Sequence, residues 1–194
     1  MAGTQPRKPV VIILDMAVGY GWAPGSFGYE MVAQVRKLKD AAYASGVQVI
    51  HVHSMRRPTD GLADGRPPTA ADLRLGPGSE GLNVIPELRP VDRDIIIYKR
   101  YLSGFSENDL DYTLRTMGCD MVIIAGASTD NTVLWTAADA FQKHYRVVVV
   151  EDCTIVHRPN ERAGAKEAAL HIVEAVVHGE VMPLDQVIAT YLSS

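Results

Sequence analysis

The 194-residue chain has only two cysteines, Cys119 and Cys153, and they are 34 positions apart. That excludes a disulfide framework and any Cys-x-x-Cys metal clamp. There is no apolar run near the roughly 20 residues that a membrane span needs. The opening stretch, Met1 to Pro9, is polar and lacks the long apolar core of a secretory signal. Basic charge is not in excess, since the formal net charge is −4, which argues against nucleic acid or an anionic membrane as partner. No internal repeat and no linker-like composition shift divides the chain. These exclusions leave one cytoplasmic, enzyme-sized domain over residues 1–194, with a small molecule as its partner.

Short apolar runs set the architecture. Val10 to Leu14 is unbroken and rich in β-branched residues, the pattern of a strand buried on both faces of a parallel sheet. Similar runs recur at Val47 to Val52, Ile95 to Tyr98, Met121 to Ala125 and Val147 to Val150. Helical patterns lie between several of them. Tyr29 to Ser45 gathers Val32, Val35, Leu38 and Ala42 near one face and stops at Gly46. Asn108 can cap Leu110 to Met117, which ends at Gly118, and Asn131 to His144 and Glu161 to Val177 supply two more helices. Strands alternating with helices predict a doubly wound α/β fold, Rossmann-like, with about six mainly parallel strands and helices on both faces. One stretch breaks the alternation. Residues 54–92 form a long proline- and glycine-rich connection carrying Arg56, Arg57, Arg66 and a short helical candidate, Thr69 to Leu75. It reads as a lid or an interface segment, and equally as a passive surface excursion.

Three residues could carry chemistry. In open α/β sheets ligands bind outside the carboxyl ends of strands, and Asp15, Lys99 and Thr132 each follow a different strand there. Taken singly, Asp15 reads as well as a turn-forming acid, Lys99 as a solvated lysine and Thr132 as an ordinary helix-start threonine. Together they offer a base, an electrostatic stabiliser and a hydroxyl nucleophile at a helix start suited to an oxyanion.

The segment Gly126-Ala127-Ser128-Thr129-Asp130-Asn131-Thr132-Val133, running on into Thr136-Ala137-Ala138-Asp139-Ala140, resembles the nucleophile turn of the isochorismatase-like cysteine hydrolases. The resemblance extends to Leu14-Asp15, to Lys99 with Ser103-Gly104-Phe105, and to the Val148 to Asp152 strand, and so covers nearly the whole chain. It implies Asp15 as general base, Lys99 as charge stabiliser, position 132 as nucleophile, a cis peptide between Ala127 and Ser128, and a dimer or tetramer of this chain. The pattern has cysteine at the position where this chain has Thr132. A thiol is readily ionised beside a lysine and a helix N-terminus, whereas an aliphatic hydroxyl must lose its proton during attack. Thr132 is then a nucleophile, a substrate-positioning group beside an attacking water, or the mark of a silent site. The first reading gives a hydrolase of a small amide or ureido compound. The second gives vinyl-ether or other non-covalent hydrolysis with Asp15 as general acid, as in the family's true isochorismatases, which lack the cysteine. The third gives a binding protein. Cys119 stands before one strand and Cys153 after another, so neither supplies the missing thiol.

Around this triad Ala127, Ser128 and Asn131 are expected to bind the oxyanion or substrate. Tyr20, Phe105 and Trp135, with Trp22, Phe27 and Tyr101, are candidates for an apolar pocket wall or for core packing. His51 and His53 alternate along one strand and share a face. The nicotinamidases of this family hold a metal with an Asp and two His in this region, but their Asp-x-His pattern is missing here, so no metal is expected. Gly76 to Gly81 has neither the lysine of a P-loop nor the setting of a dinucleotide fingerprint, so no cofactor is expected.

Overall fold

A computed structural model of the chain describes residues 8–57, 73–157 and 160–193. The proline-rich stretch 58–72, with Arg66 and Thr69 to Asp72 of the expected short helix, lies outside them. Six strands form one parallel sheet: β1 (Pro9–Leu14), β2 (Gln48–Ser54), β3 (Ile95–Lys99), β4 (Met121–Ala127), β5 (Arg146–Ile155) and β6 (Glu180–Met182). Their spatial order is β3-β2-β1-β4-β5-β6. The order reverses between β1 and β4, and a doubly wound sheet opens its ligand crevice at that switch point.

The alternation of β1 builds both layers of the core. Val11 and Ile13 face a cluster shared with Met31, Val35 and Leu38 of α1 (Tyr29–Ala44) and with Leu184 and Val187 of α5 (Leu184–Tyr191). Val10, Ile12 and Leu14 face the opposite cluster, with Leu110 and Leu114 of α2 (Leu110–Thr116), Ala137 and Ala140 of α3 (Leu134–Gln142) and Val173 of α4 (Ala165–Ala175). Burial on both faces explains why β1 lacks a polar alternation. Edge strand β3 is different, for Ile96 and Tyr98 on it are exposed.

The element boundaries differ from the sequence pattern where the backbone does something local. Asp109, not Asn108, is the N-cap of α2, and Asn108 just before it accepts from the Leu110 amide at 3.0 Å through its side chain. The helix expected from Asn131 begins instead as a π-helical turn, Thr129–Val133, before α3. Helix α4 starts at Ala165, not Glu161, because Gly164 enters it in the left-handed region at φ 75°. Cys153 lies buried inside β5, which extends past Asp152 to Ile155 with a shift in register against β4. The described part of the long connection is tied down, with Val18 N–H donating to Asn83 at 2.9 Å and Ile85 N–H to Met16 at 3.2 Å. It therefore packs on the loop that follows Asp15. No helix among the described residues is long and apolar enough to cross a membrane.

Candidate active site

The switch point brings two strand ends within reach of one another because of Gly126. It sits at φ 110°, and a Cβ there would meet the Leu14 carbonyl oxygen at 2.1 Å. Only glycine permits this approach, which sets the turn after β4 against the end of β1. Asp15, the next residue along β1, is itself left-handed at φ 53°, a region where Asp is better tolerated than most side chains. Its N–H donates to Val52 at 2.9 Å and its carbonyl accepts from Trp22 Nε1 at 3.1 Å. The backbone is held on both sides, so the carboxylate has one direction to point.

That carboxylate is fully engaged. Oδ1 accepts from the Ser54 amide at 2.8 Å. Oδ2 lies 3.0 Å from Lys99 Nζ and accepts from Thr132 Oγ1 at 3.1 Å. Lys99 in turn donates to Ser54 Oγ at 2.8 Å and to the Tyr101 carbonyl at 3.0 Å, so each of its three N–H donors has a partner. The two charged side chains are 1% and 5% exposed. Burial pushes the Asp15 carboxyl up, but the Lys99 ammonium and the Ser54 amide outweigh it and hold Asp15 below its ordinary value. Asp15 is an anion at neutral pH, placed to accept a proton from Thr132.

The Thr132 side is equally fixed. The peptide between Ala127 and Ser128 is cis. The Asn131 and Val133 amides both donate to the Ser128 carbonyl at 3.1 Å. Thr136 Oγ1 donates to the Thr132 carbonyl at 2.6 Å and accepts from the Gly104 amide at 2.8 Å, tying the loop after β3 to the turn. Ser128 Oγ donates to Asp130 at 2.5 Å and accepts from the His157 amide at 3.1 Å.

A cavity of about 160 Å³ opens over this constellation, lined by Asp15, Lys99 and Thr132 together with Tyr20, Ala127, Ser128 and Asn131. With Tyr101, eight of the residues expected from the sequence thus converge. Phe105 and Trp135 are not among the lining residues. Phe105 stacks on Tyr145 with ring centroids 6.1 Å apart and packs in the core, while Trp135 is 51% exposed on α3. The structure adds Ser54, Arg56, Leu102 and His157 to the lining. Ser54 could have been found, because it ends β2 at the same sheet edge as Asp15 and Lys99. A larger cavity of about 500 Å³ adjoins the first, shares Tyr20 and His157 with it, and extends to Trp22 and Phe27.

The two histidines of β2 are core residues. His51 and His53 are fully buried and stack on one another at 6.1 Å. Burial lowers His53 to about 3, so its ring is neutral. His51 Nε2 lies 3.6 Å from Asp94. Among the described residues no three His, Cys, Asp or Glu side chains gather as a metal would require. Neither thiol borders the site, and burial pushes Cys119 up to about 11 and Cys153 higher still.

Fold and site together define a class: a doubly wound α/β enzyme with a buried carboxylate, ammonium and hydroxyl at its topological switch point. The isochorismatase domain family matches residues 9–180. The chain is 30% identical over 159 residues to the maleamate amidohydrolase of Pseudomonas putida, covering 76% of this chain and 72% of that one. It is 27% identical over 175 residues to the ureidoacrylate amidohydrolase RutB of Agrobacterium fabrum, covering 77% of each. Among solved structures, the N-carbamoylsarcosine amidase of Thermoplasma acidophilum superposes with a TM-score of 0.75 at 28% identity, over 92% of this chain and 97% of that one. An isochorismatase family protein of Desulfovibrio vulgaris superposes with a TM-score of 0.79 at 26% identity, over 94% and 99%. The chain belongs to the isochorismatase-like family and is a hydrolase whose relatives cleave amides.

Proposed function

We propose that the chain hydrolyses the C–N bond of a small amide or ureido compound, with Thr132 Oγ1 as nucleophile, Asp15 as general base and Lys99 as fixed electrostatic support. The observation that carries this reading is the Thr132 hydroxyl donating at 3.1 Å to a carboxylate that Lys99 keeps ionised. Thr132 gives its proton to Asp15 Oδ2 as Oγ1 bonds to the amide carbon. The amide of Thr132 itself, within the π turn, stabilises the oxyanion. Asp15 then returns the proton to the departing nitrogen, the C–N bond breaks, and an ester remains on Thr132. Water repeats the cycle: Asp15 takes its proton, hydroxide attacks the ester, and Thr132 is released with the acid product.

An ionised Asp15 favours the base role over a general acid acting on a vinyl ether, which would need the carboxyl protonated. Partitioning by hydroxylamine tests the covalent step. An amide and an ester that share one acyl group are expected to give the same ratio of hydroxamate to acid, because both pass through one acyl-enzyme. Ratios that depend on the leaving group would contradict it.

A further inference from the structure

We infer, building on the amidohydrolase reading, that Arg162 is a positioning residue of this site, which neutralises Asp130 so that the nucleophile turn can stabilise an oxyanion. Asp130 stands two residues before Thr132, inside the π turn Thr129–Val133. Its side chain is 13% exposed, so water screens its charge only in part. Burial pushes its carboxyl up, but hydrogen bonds from Ser128 and Arg162 outweigh it and hold Asp130 below its ordinary value. The turn therefore carries a fixed negative charge. That charge is misplaced for the reaction, because negative charge develops on the substrate oxygen beside the Thr132 amide. Uncompensated, it would oppose the field of the helix start, which favours an anion.

Arg162 supplies the compensation. It stands three residues before α4, and its Nη1 donates to Asp130 Oδ2 at 2.8 Å. Lys166, the next cation along the chain, is turned elsewhere and donates to the Glu151 and Thr154 carbonyls at 2.8 Å each. The other carboxylate oxygen of Asp130, Oδ1, accepts from Ser128 Oγ at 2.5 Å, and Ser128 Oγ accepts in turn from the His157 amide at 3.1 Å. Ser128 opens the turn and lines the cavity, yet its hydroxyl proton is directed at Asp130 and not at the substrate. An asparagine would accept that hydrogen bond as well as an aspartate does. The carboxylate charge is what calls for a guanidinium, and Arg162 is the only cation within ion-pair distance of Asp130 among the described residues. Arg162 lines neither the active-site cavity nor its larger neighbour, so it acts through Asp130 rather than on the substrate.

Two probes of the full-length protein test this, p-nitrophenyl acetate and methylboronic acid, each with Thr132→Ala as the blank. The ester passes through the same kind of tetrahedral oxyanion as an amide. The boronic acid takes Thr132 Oγ1 onto boron while the hydroxyl proton passes to Asp15. A stable tetrahedral boron anion remains, which calorimetry and boron NMR detect without turnover. In Arg162→Met, kcat on the ester is expected to fall by about 3- to 30-fold with KM within about two-fold of the parent. Boronate affinity should fall by a similar factor. Adding Asp130→Asn to Arg162→Met should recover most of both losses, because the stranded charge is gone and the Ser128 hydrogen bond remains. Arg162→Lys should keep most of the parent's values. A loss that Asp130→Asn does not repair would mean a mere brace and overturns the assignment, as does an Arg162→Met variant equal to the parent. Amides hydrolysed as fast by Arg162→Met as by the parent defeat Arg162 alone and leave the amidohydrolase standing. Boronate binding that depends on the pair, with no amide hydrolysed by the parent, does the reverse. A parent that shows neither boronate formation nor ester turnover defeats both.

Discussion

Two acid–base pairs sit at opposite ends of the same sheet. At the carboxyl ends of the strands, Asp15 and Lys99 are almost completely buried, at 5% and 1% exposure. At the amino ends, Arg146 of β5 and Glu180 of β6 are paired through Arg146 Nε at 2.6 Å and braced by Tyr191, and they stay about one-third exposed. A pair this exposed gains little, because solvent screens it and two long side chains must be ordered. A buried pair costs desolvation that its mutual attraction barely repays, and well-packed apolar residues often serve stability better. The contrast teaches where to look for chemistry. Of the two, it is the buried pair that lines the cavity beside Thr132, and its cost makes sense as preorganisation rather than as fold stability.

The largest effect expected from breaking this contrast is kinetic. Asp15→Asn keeps the shape but removes the proton acceptor, and steady-state rates on a hydrolysed amide should fall by about 10²- to 10⁴-fold. Lys99→Met comes next and acts on stability. It strands a buried carboxylate, and urea denaturation at neutral pH should show a loss of about 3–5 kcal/mol. The pH dependence sharpens the same point. In the parent protein Asp15 is held below its ordinary value of 3.8, so its stabilisation is present above that value and is lost as pH falls through the lower folded value. The acid limb of kcat/KM should accordingly lie below pH 3.8. In Lys99→Met, burial without the ammonium raises the carboxyl instead, and stability should rise as the pH is lowered from neutral. A variant that loses stability on acidification in the same way as the parent would show that Lys99 does not control Asp15. The smallest effect belongs to the other end of the sheet. Glu180→Gln should cost no more than about 1 kcal/mol and leave kcat/KM unchanged.

The comparison also shows which parts of the molecule the sequence made legible. The central strands were readable because burial on both faces leaves uninterrupted apolar runs, and Asp15, Lys99 and Thr132 because each stands at the end of such a run. Strand β6, only three residues long, has no pattern to detect. The π turn at Thr129–Val133 depends on backbone hydrogen bonding that shares its apolar periodicity with an ordinary helix start. Phe105 and Trp135 lie near the site in sequence, but a helix or loop can turn an aromatic ring away from a crevice without changing composition. Arg56 and His157 reach the cavity from loops whose paths only the fold determines. Ser54 was within reach of the strand-end argument and was hidden by the two histidines beside it.

The claim that Thr132 attacks is tested most directly by the turnover of Thr132→Ala, measured beside Thr132→Ser on the same amide. Loss of the hydroxyl should reduce kcat to below about one-thousandth of the parent, while the serine variant, which keeps an oxygen in the same place, retains measurable activity. An alanine variant within a few-fold of the parent would mean that water attacks and that Thr132 only positions the substrate.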